Sequence, residues 1–423
     1  MGGKIAPMSV PYNPADFVVQ PLAPNRLQLR IALVTETYPP EINGVAMTLG
    51  RMVDGLLRRG HAIQLVRPRQ HALDVPAEQR AFEEVFATGV PIPKYDGLKF
   101  GLPAKARLAR LWQHKRPDLV HVVTEGPLGW SAIGAARKLR LPVTSDFHTN
   151  FHSYSRHYGF GWLKAPIASY LRKFHNRTQA TLVPTRTLAQ ELGSAGYENL
   201  AVVSRGVDTG QFNPSRRSQE LRAAWGIKDT SADTLVVLYV GRLAPEKNLP
   251  LVLEAYAAIR AVRPEARLVF VGDGPLRGFL PASCPAAFFA GMRSGADLAA
   301  HYASADLFLF PSLTETFGNV TTEALASGLG VVAYQYAAAA DLIADGSNGR
   351  HAPPGDAAAF IAAAADLAGD REQLQRLRAA APASVAQLDW EAIHACFART
   401  LSGIVASHER QGYGNREFLV VPD

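Results

Sequence analysis

Short runs of wholly apolar residues alternate along the chain with longer stretches whose apolar positions recur every three or four residues. "LRIALVTET" is followed by the helical pattern of "GVAMTLGRMVDGLLRRG". "AIQLVRP", "DLVHVVT", the helical "GWSAIGAARKLR", "LPVTSDFH" and "ATLVPT" come next. Runs that are apolar on both alternating faces predict strands of a parallel sheet covered on both sides. The pattern restarts near residue 234 with "TLVVLYVGR", the helical "LPLVLEAYAAIRAV", "ARLVFVGDG", "LAAHYASADLFLFPS" and "GLGVVAY". Two successive rounds of alternation predict an α/β protein of two doubly wound, Rossmann-like parallel-sheet domains, with "VVSRGVDTGQFNP" linking them. Ligands of such sheets bind at the carboxyl ends of the strands, so the cleft between facing domains is the expected site. The expected divisions are a flexible extension over 1–27, domains over 28–204 and 205–385, a helix over 386–410 with Asp389 as its cap, and a tail over 411–423.

Composition narrows the class. The 423 residues are 48% hydrophobic and 19% charged, ordinary values for a globular chain. No apolar run approaches the roughly 20 residues needed to span a bilayer, and the Ala-rich "AAAFIAAAADLA" reads as a packed helix. The first residues lack the apolar core of a secretory signal, and Ala6 stands where a myristoylation motif wants Ser or Thr. A cytoplasmic protein is expected. Cys284 and Cys396 are far apart and have neither metal-site spacing nor a disulfide framework. The net charge of +7 and pI of 9.4 favour an anionic partner. Nucleic acid, an anionic membrane and a phosphorylated substrate all satisfy that, but the basic residues form no recognisable nucleic-acid module.

Several candidate groups cluster at predicted strand ends. Arg242 and Lys247 lie in "VGRLAPEKNLP", where two cations can neutralise a diphosphate leaving group; two solvated surface charges are the alternative. Gly272 and Asp273 lie in "VFVGDGP", where the backbone turns tightly and can approach a ligand closely. "PSLTETFGNVTTEALASG" runs from a strand end into a helix starting near Gly318, whose free N–H groups suit a phosphate. Glu315 in the loop can accept hydrogen bonds from sugar hydroxyls, and Glu323 in the helix can hold a ribose. A helix-capping Glu315 and a solvated Glu323 are the alternatives. Gly44 follows Asn43 at another helix start. His148 follows a strand end in "TSDFHTNF", flanked by Asp146 and Thr149, and can hydrogen-bond a sugar or a reacting oxygen; a satisfied structural histidine is the alternative. His61 and His121 read as structural. With no Asp-x-Asp and no ligand spacing for a metal, no required metal or cofactor is expected.

Taken in order, "PEINGVAMTLGRM", "DFHTNFHSY", "SRGVDTGQFNP", "VGRLAPEKN", "VGDGP" and the Glu-x7-Glu of "ETFGNVTTE" resemble the family 4 retaining glycosyltransferases of the GT-B fold, over about residues 28 to 405. The resemblance is nearest to bacterial α-mannosyltransferases that use GDP-mannose. Phosphatidylinositol mannosyltransferases and sulfoquinovosyl-diacylglycerol synthases are similar relatives. It implies an acceptor-binding first domain and a donor-binding second one. Gly44 would lend its backbone to the donor diphosphate, His148 would sit beside the donor sugar, and Arg242 and Lys247 would bind the diphosphate. Glu315 would hold sugar hydroxyls in a pocket shaped by Phe317 and Gly318, Glu323 would bind the ribose, and Gly272, Asp273 and Asn319 complete the donor-binding set. The tail helix would cross back onto the first domain.

The implied partners are a nucleotide-sugar donor and a lipid or glycan acceptor. UDP-glucose or UDP-glucuronate, used to make a glycosyl-diacylglycerol, would suit the same scaffold. A non-catalytic nucleotide-sugar or anionic-surface binder is the reading from another class. A nicotinamide oxidoreductase needs a Gly-x-Gly-x-x-Gly that "TETYPPEING" does not supply. Residues 93–118 and 151–177 mix basic residues with Tyr95, Phe100 and Trp112 and with further aromatics. Such faces can rest on the anionic inner surface of a membrane, although charge over ordinary core aromatics gives the same pattern.

Overall fold

The computed structural model describes residues 28–41, 43–70, 73–91, 99–148, 164–227 and 234–414. The expected 1–27 extension, Tyr95, residues 149–163 and the end of the tail lie outside the described residues.

The strands are β1 (Arg30–Val34), β2 (Ala62–Pro68), β3 (Glu78–Gln79), β4 (Phe82–Ala87), β5 (Gly89–Pro91), β6 (Lys99–Gly101), β7 (Leu119–Val122), β8 (Val143–Asp146), β9 (Ala180–Val183), β10 (Leu200–Val202), β11 (Val236–Val240), β12 (Arg267–Val271), β13 (Phe288–Gly291), β14 (Leu307–Phe310), β15 (Gly330–Tyr334) and β16 (Arg350–Ala352). They build a first sheet in the order β10-β9-β8-β7-β1-β2-β4-β3 and a second in the order β13-β12-β11-β14-β15-β16. Pairing is parallel throughout the second sheet and in the first except between β3 and β4. Strand order reverses between β1 and β7 and again between β11 and β14. At each reversal the crossovers leave in opposite directions and open a crevice at the carboxyl ends.

The helices that shape the site are α1 (Gly44–Arg58), α2 (Lys105–His114), α3 (Arg186–Ser194), α4 (Asn319–Ala326), α5 (Ala337–Leu342) and α6 (Trp390–Gly414). Asn43 caps α1, its side chain accepting from the Ala46 N–H at 2.8 Å. The buried Leu49, Met52, Val53 and Leu56 recur at helical spacing and turn one face of α1 onto the sheet. On α6, Ile393, Phe397, Leu401 and Val405 join that same apolar cluster. α6 therefore leaves the second lobe and packs on the first. Burying these four side chains contributes roughly 6–12 kcal/mol before the cost of ordering them. Asp389 caps the helix, accepting from the Glu391 and Ala392 N–H groups. Among the described residues no helix is long and apolar enough to cross a membrane.

Candidate active site

The two strand reversals place most of the sequence-predicted groups at facing strand ends. Lys247 follows β11 and Glu315 follows β14, neighbouring strands whose loops come together. The Lys247 ammonium pairs with Glu315 Oε1, which also accepts from Ser312 Oγ at 2.7 Å. Lys247 lies 5.8 Å above the centre of the Phe310 ring. Both side chains of the pair are mostly buried, at 17% and 16% exposed, so it is recessed below the surface. Arg242, from the same loop as Lys247, is 54% exposed and held at 3.3 Å by Glu246 Oε1. A solvent-facing guanidinium beside a recessed ammonium gives the loop two cations at different depths.

Gly272 and Asp273 sit against this loop. Gly272 has φ of +131°, and a Cβ there would lie 2.0 Å from the Gly241 carbonyl oxygen. The Asp273 carbonyl accepts from the Leu243 N–H at 2.8 Å. The close approach expected of "VGDGP" is thus made to the "VGRLA" backbone, and packing between two loops accounts for the glycine. Asp273 itself is exposed, and its Oδ1 accepts from the Gly274 N–H at 2.7 Å.

Beyond Glu315 the chain turns through Phe317, which is buried, and Gly318, whose φ of +87° is the left-handed conformation that glycine adopts without penalty. That turn starts α4 at Asn319, with no side chain capping its first-turn N–H groups. One turn on, Glu323 Oε2 accepts from the buried Tyr302 hydroxyl at 2.9 Å. Burial raises the Glu323 carboxyl to about 7, against the lowering effects of the Tyr302 hydrogen bond and the Arg51 charge. Arg51 stands on α1 of the opposite lobe, 4.0 Å from Asp208 and over the Trp390 ring. Together these three residues border a groove of about 490 Å³ where the linker and the returning helix meet.

On the first lobe, Gly44 opens α1, and a Cβ built on it meets nothing within 4 Å. No described neighbour requires glycine there. The His148 ring takes the structural one of its two expected roles. Its Nε2 lies 3.0 Å from Asp146 Oδ2, and its Nδ1 accepts from Arg205 Nη2 at 3.2 Å. Both ring nitrogens are engaged inside the protein, so as placed the ring presents none to a sugar. Burial and the Arg205 charge keep the imidazole pKa low despite Asp146, which favours the neutral ring with its proton on Nε2. Burial alone would raise the Asp146 carboxyl, but His121 and His148 hold it well below the usual range. The His148 carbonyl faces the other way and accepts from Thr316 Oγ1 of the second lobe at 2.9 Å.

Arg205, Thr316, Tyr302 and Arg51 are neighbours of the site that sequence reasoning did not single out. Arg205 lies in "SRGVDTG" and Thr316 in "ETFGN", so the motifs contained a signal, but the contacts join residues 57 and 168 positions apart. His61 and His121 are structural: His61 Nδ1 accepts from the Leu29 N–H at 3.1 Å, and His121, wholly buried, meets Thr144 Oγ1 at 2.8 Å. Among the described residues no group of His, Cys, Asp and Glu could hold a metal ion.

Two family patterns cover most of the chain: "Glycosyltransferase Family 4" matches residues 42–211 and "Glycosyl transferases group 1" matches residues 234–370. A GDP-mannose-dependent alpha-mannosyltransferase of Corynebacterium glutamicum is 32% identical over 383 residues, spanning 90% of this chain and 91% of that protein. The chain is a family 4 glycosyltransferase. The sulfoquinovosyl transferase SQD2 of Arabidopsis thaliana is 31% identical to this glycosyltransferase, over 86% of the chain and 71% of the relative. Among solved structures, Anabaena HepE in complex with UDP superposes with a TM-score of 0.69 at 21% identity, over 88% of this chain and 100% of that one. The sucrose-phosphate synthase of Thermosynechococcus elongatus gives 0.69 at 18% identity, over 89% and 99%. The GT-B architecture of facing parallel-sheet lobes is therefore that of the family.

Proposed function

We propose that this glycosyltransferase moves mannose from GDP-mannose to a lipid or glycan acceptor with retention at the anomeric carbon. The observation that carries the reading is the recessed Lys247–Glu315 pair on the loops that follow β11 and β14. Breaking a nucleotide-sugar bond places negative charge on the departing diphosphate and makes the anomeric carbon cation-like. Lys247 and Arg242 neutralise that charge together with the N-termini of α1 and α4, so no bound metal is required. Glu315, fixed by Lys247 and Ser312, presents its remaining acceptor capacity to sugar hydroxyls. Glu323, supported by Tyr302, takes the ribose. No carboxylate is assigned as a nucleophile: the acceptor attacks on the face the diphosphate leaves, and the diphosphate helps remove its proton. His148 acts through its backbone, whose carbonyl joins the lobes beside the sugar.

GDP-mannose is preferred as donor because three of the relatives, at 32–34% identity, bear a name that specifies it. A hydrolysis screen across GDP- and UDP-sugars tests the choice. Turnover of GDP-mannose is expected; turnover of a UDP-sugar with GDP-mannose inert would overturn it.

For the acceptor, α2 offers a basic face. Lys105, Arg107 and Arg110 are exposed, while Trp112 is wholly buried and donates to Gln64 Oε1 at 2.9 Å. Trp112 therefore belongs to the core and not to a membrane-facing set. The exposed Leu102 and Tyr170 are the apolar groups left to accompany the cations. We assign this face to peripheral docking on anionic lipid. Co-sedimentation with phosphatidylglycerol vesicles but not with phosphatidylcholine vesicles is expected, and equal recovery from both would remove the assignment.

A further inference from the structure

One cluster of polar contacts between the lobes lies outside the groups assigned to the substrates. Asp341, on α5 of the second lobe, receives three hydrogen bonds from the start of α3 in the first. The Arg186 N–H donates to Oδ2 at 2.6 Å, and the Thr187 N–H and Oγ1 donate to Oδ1 at 3.2 and 2.7 Å. An anionic side chain suits a helix N-terminus, where backbone N–H groups lack intrahelical partners and the dipole is positive. Thr185 already caps the helix from within the chain, accepting from the Leu188 N–H at 3.1 Å. Asp341 takes the two N–H groups that this local cap leaves over.

The contact is coupled to the site. At the other end of α5 the Ala338 N–H donates to the Phe317 carbonyl at 2.8 Å. Phe317 follows Thr316, whose hydroxyl binds the His148 carbonyl across the cleft, and Thr316 follows Glu315. Short α5 thus spans from the first lobe's α3 to the loop that carries Glu315. We propose that Asp341 is a positioning residue for transfer: it latches the lobes together and holds the Glu315–Phe317 loop against the His148 strand end. This rests on the transfer reading above, because the benefit of closure is exclusion of water from an activated sugar. In the open state Thr316 loses its partner and the donor pocket admits water.

The test uses the full chain with Asp341→Ala and Asp341→Asn, the latter keeping a neutral acceptor for the same N–H groups. Small-angle scattering without ligand is expected to give a larger radius of gyration for D341A than for the wild type, with D341N between. With GDP-mannose, loss of charge-assisted hydrogen bonds predicts about a fivefold rise in KM for the donor. GDP released by hydrolysis per transfer is expected to rise by about threefold or more on the same grounds, since an opened cleft admits water. The melting temperature should stay within about 2 °C, since the residue is on the surface. Unchanged scattering in D341A overturns the latch, and an unchanged ratio of hydrolysis to transfer overturns its positioning role. If wild-type protein leaves GDP-mannose intact, the donor assignment fails while the scattering comparison still decides the latch.

Discussion

Gly44 offers a substitution in which stability and activity should move apart. It is the first residue of α1, and a Cβ there meets no described atom within 4 Å. Gly44→Ala therefore introduces no clash within the protein. Alanine is the better helix residue by up to about 1 kcal/mol, less at a first-turn position, so the variant should be as stable as the wild type or slightly more so. A gain of that size raises the melting temperature by roughly 2–4 °C at most. If the α1 N-terminus receives the donor diphosphate, the added methyl occupies the space the phosphate oxygens need. Losing one hydrogen bond to a charged group costs about 1.5–3 kcal/mol, which is about 10- to 100-fold in kcat/KM for the donor. Differential scanning fluorimetry and initial-rate transfer assays on Gly44→Ala, with Gly44→Val as a bulkier companion, measure both effects. Full transfer activity in both stable variants would refute the placement of the diphosphate at this helix.

Further outcomes follow from the same geometry. Lys247→Ala and Glu315→Ala should each lower transfer by about 100-fold or more, measured by GDP release in the presence of acceptor, with circular dichroism unchanged. The Glu323 carboxyl is raised from its ordinary 4.5 to about 7 in the folded protein. Its contribution to stability is thus complete below pH 4.5 and lost as pH rises through about 7. Glu323→Gln should therefore gain thermal stability relative to wild type between pH 5 and 8, whereas GDP affinity of the wild type should strengthen over that range and that of the variant stay flat. Leu401→Ala, at a wholly buried position in the middle of α6, should destabilise the first lobe by about 2–5 kcal/mol, read from urea unfolding.

The layered fold was legible because the central strands, such as β1, β7, β11, β14 and β15, are apolar on both faces, and burial on a doubly covered sheet demands that pattern. β11, β12 and β14 fall within the runs that predicted them, and α4 starts next to Gly318 because only a turn through positive φ joins the Glu315 loop to the helix. Site chemistry was legible where one short segment carries it, as in "ETFGNVTTE". Pairings made by topology were not. Nothing local in the sequence says that Arg205 would occupy Nδ1 of His148, or that Thr316 would bind the His148 carbonyl. "VGDGP" signalled a close backbone approach without saying to what, and the partner is the neighbouring loop. The mixture of basic and aromatic residues over 93–118 was equally ambiguous. The buried Trp112 belongs to the core, whereas Lys105, Arg107 and Arg110 face water.

The central proposal is that fixed cations, and not a bound metal ion, hold the donor diphosphate. Isothermal titration of GDP into the wild-type protein and into Lys247→Ala, each in EDTA and in magnesium, tests this most directly. The expected result is wild-type binding of equal strength in both buffers and a loss of about tenfold or more in Lys247→Ala. Binding that vanishes in EDTA, or a Lys247→Ala protein that binds GDP as tightly as the wild type, would contradict it.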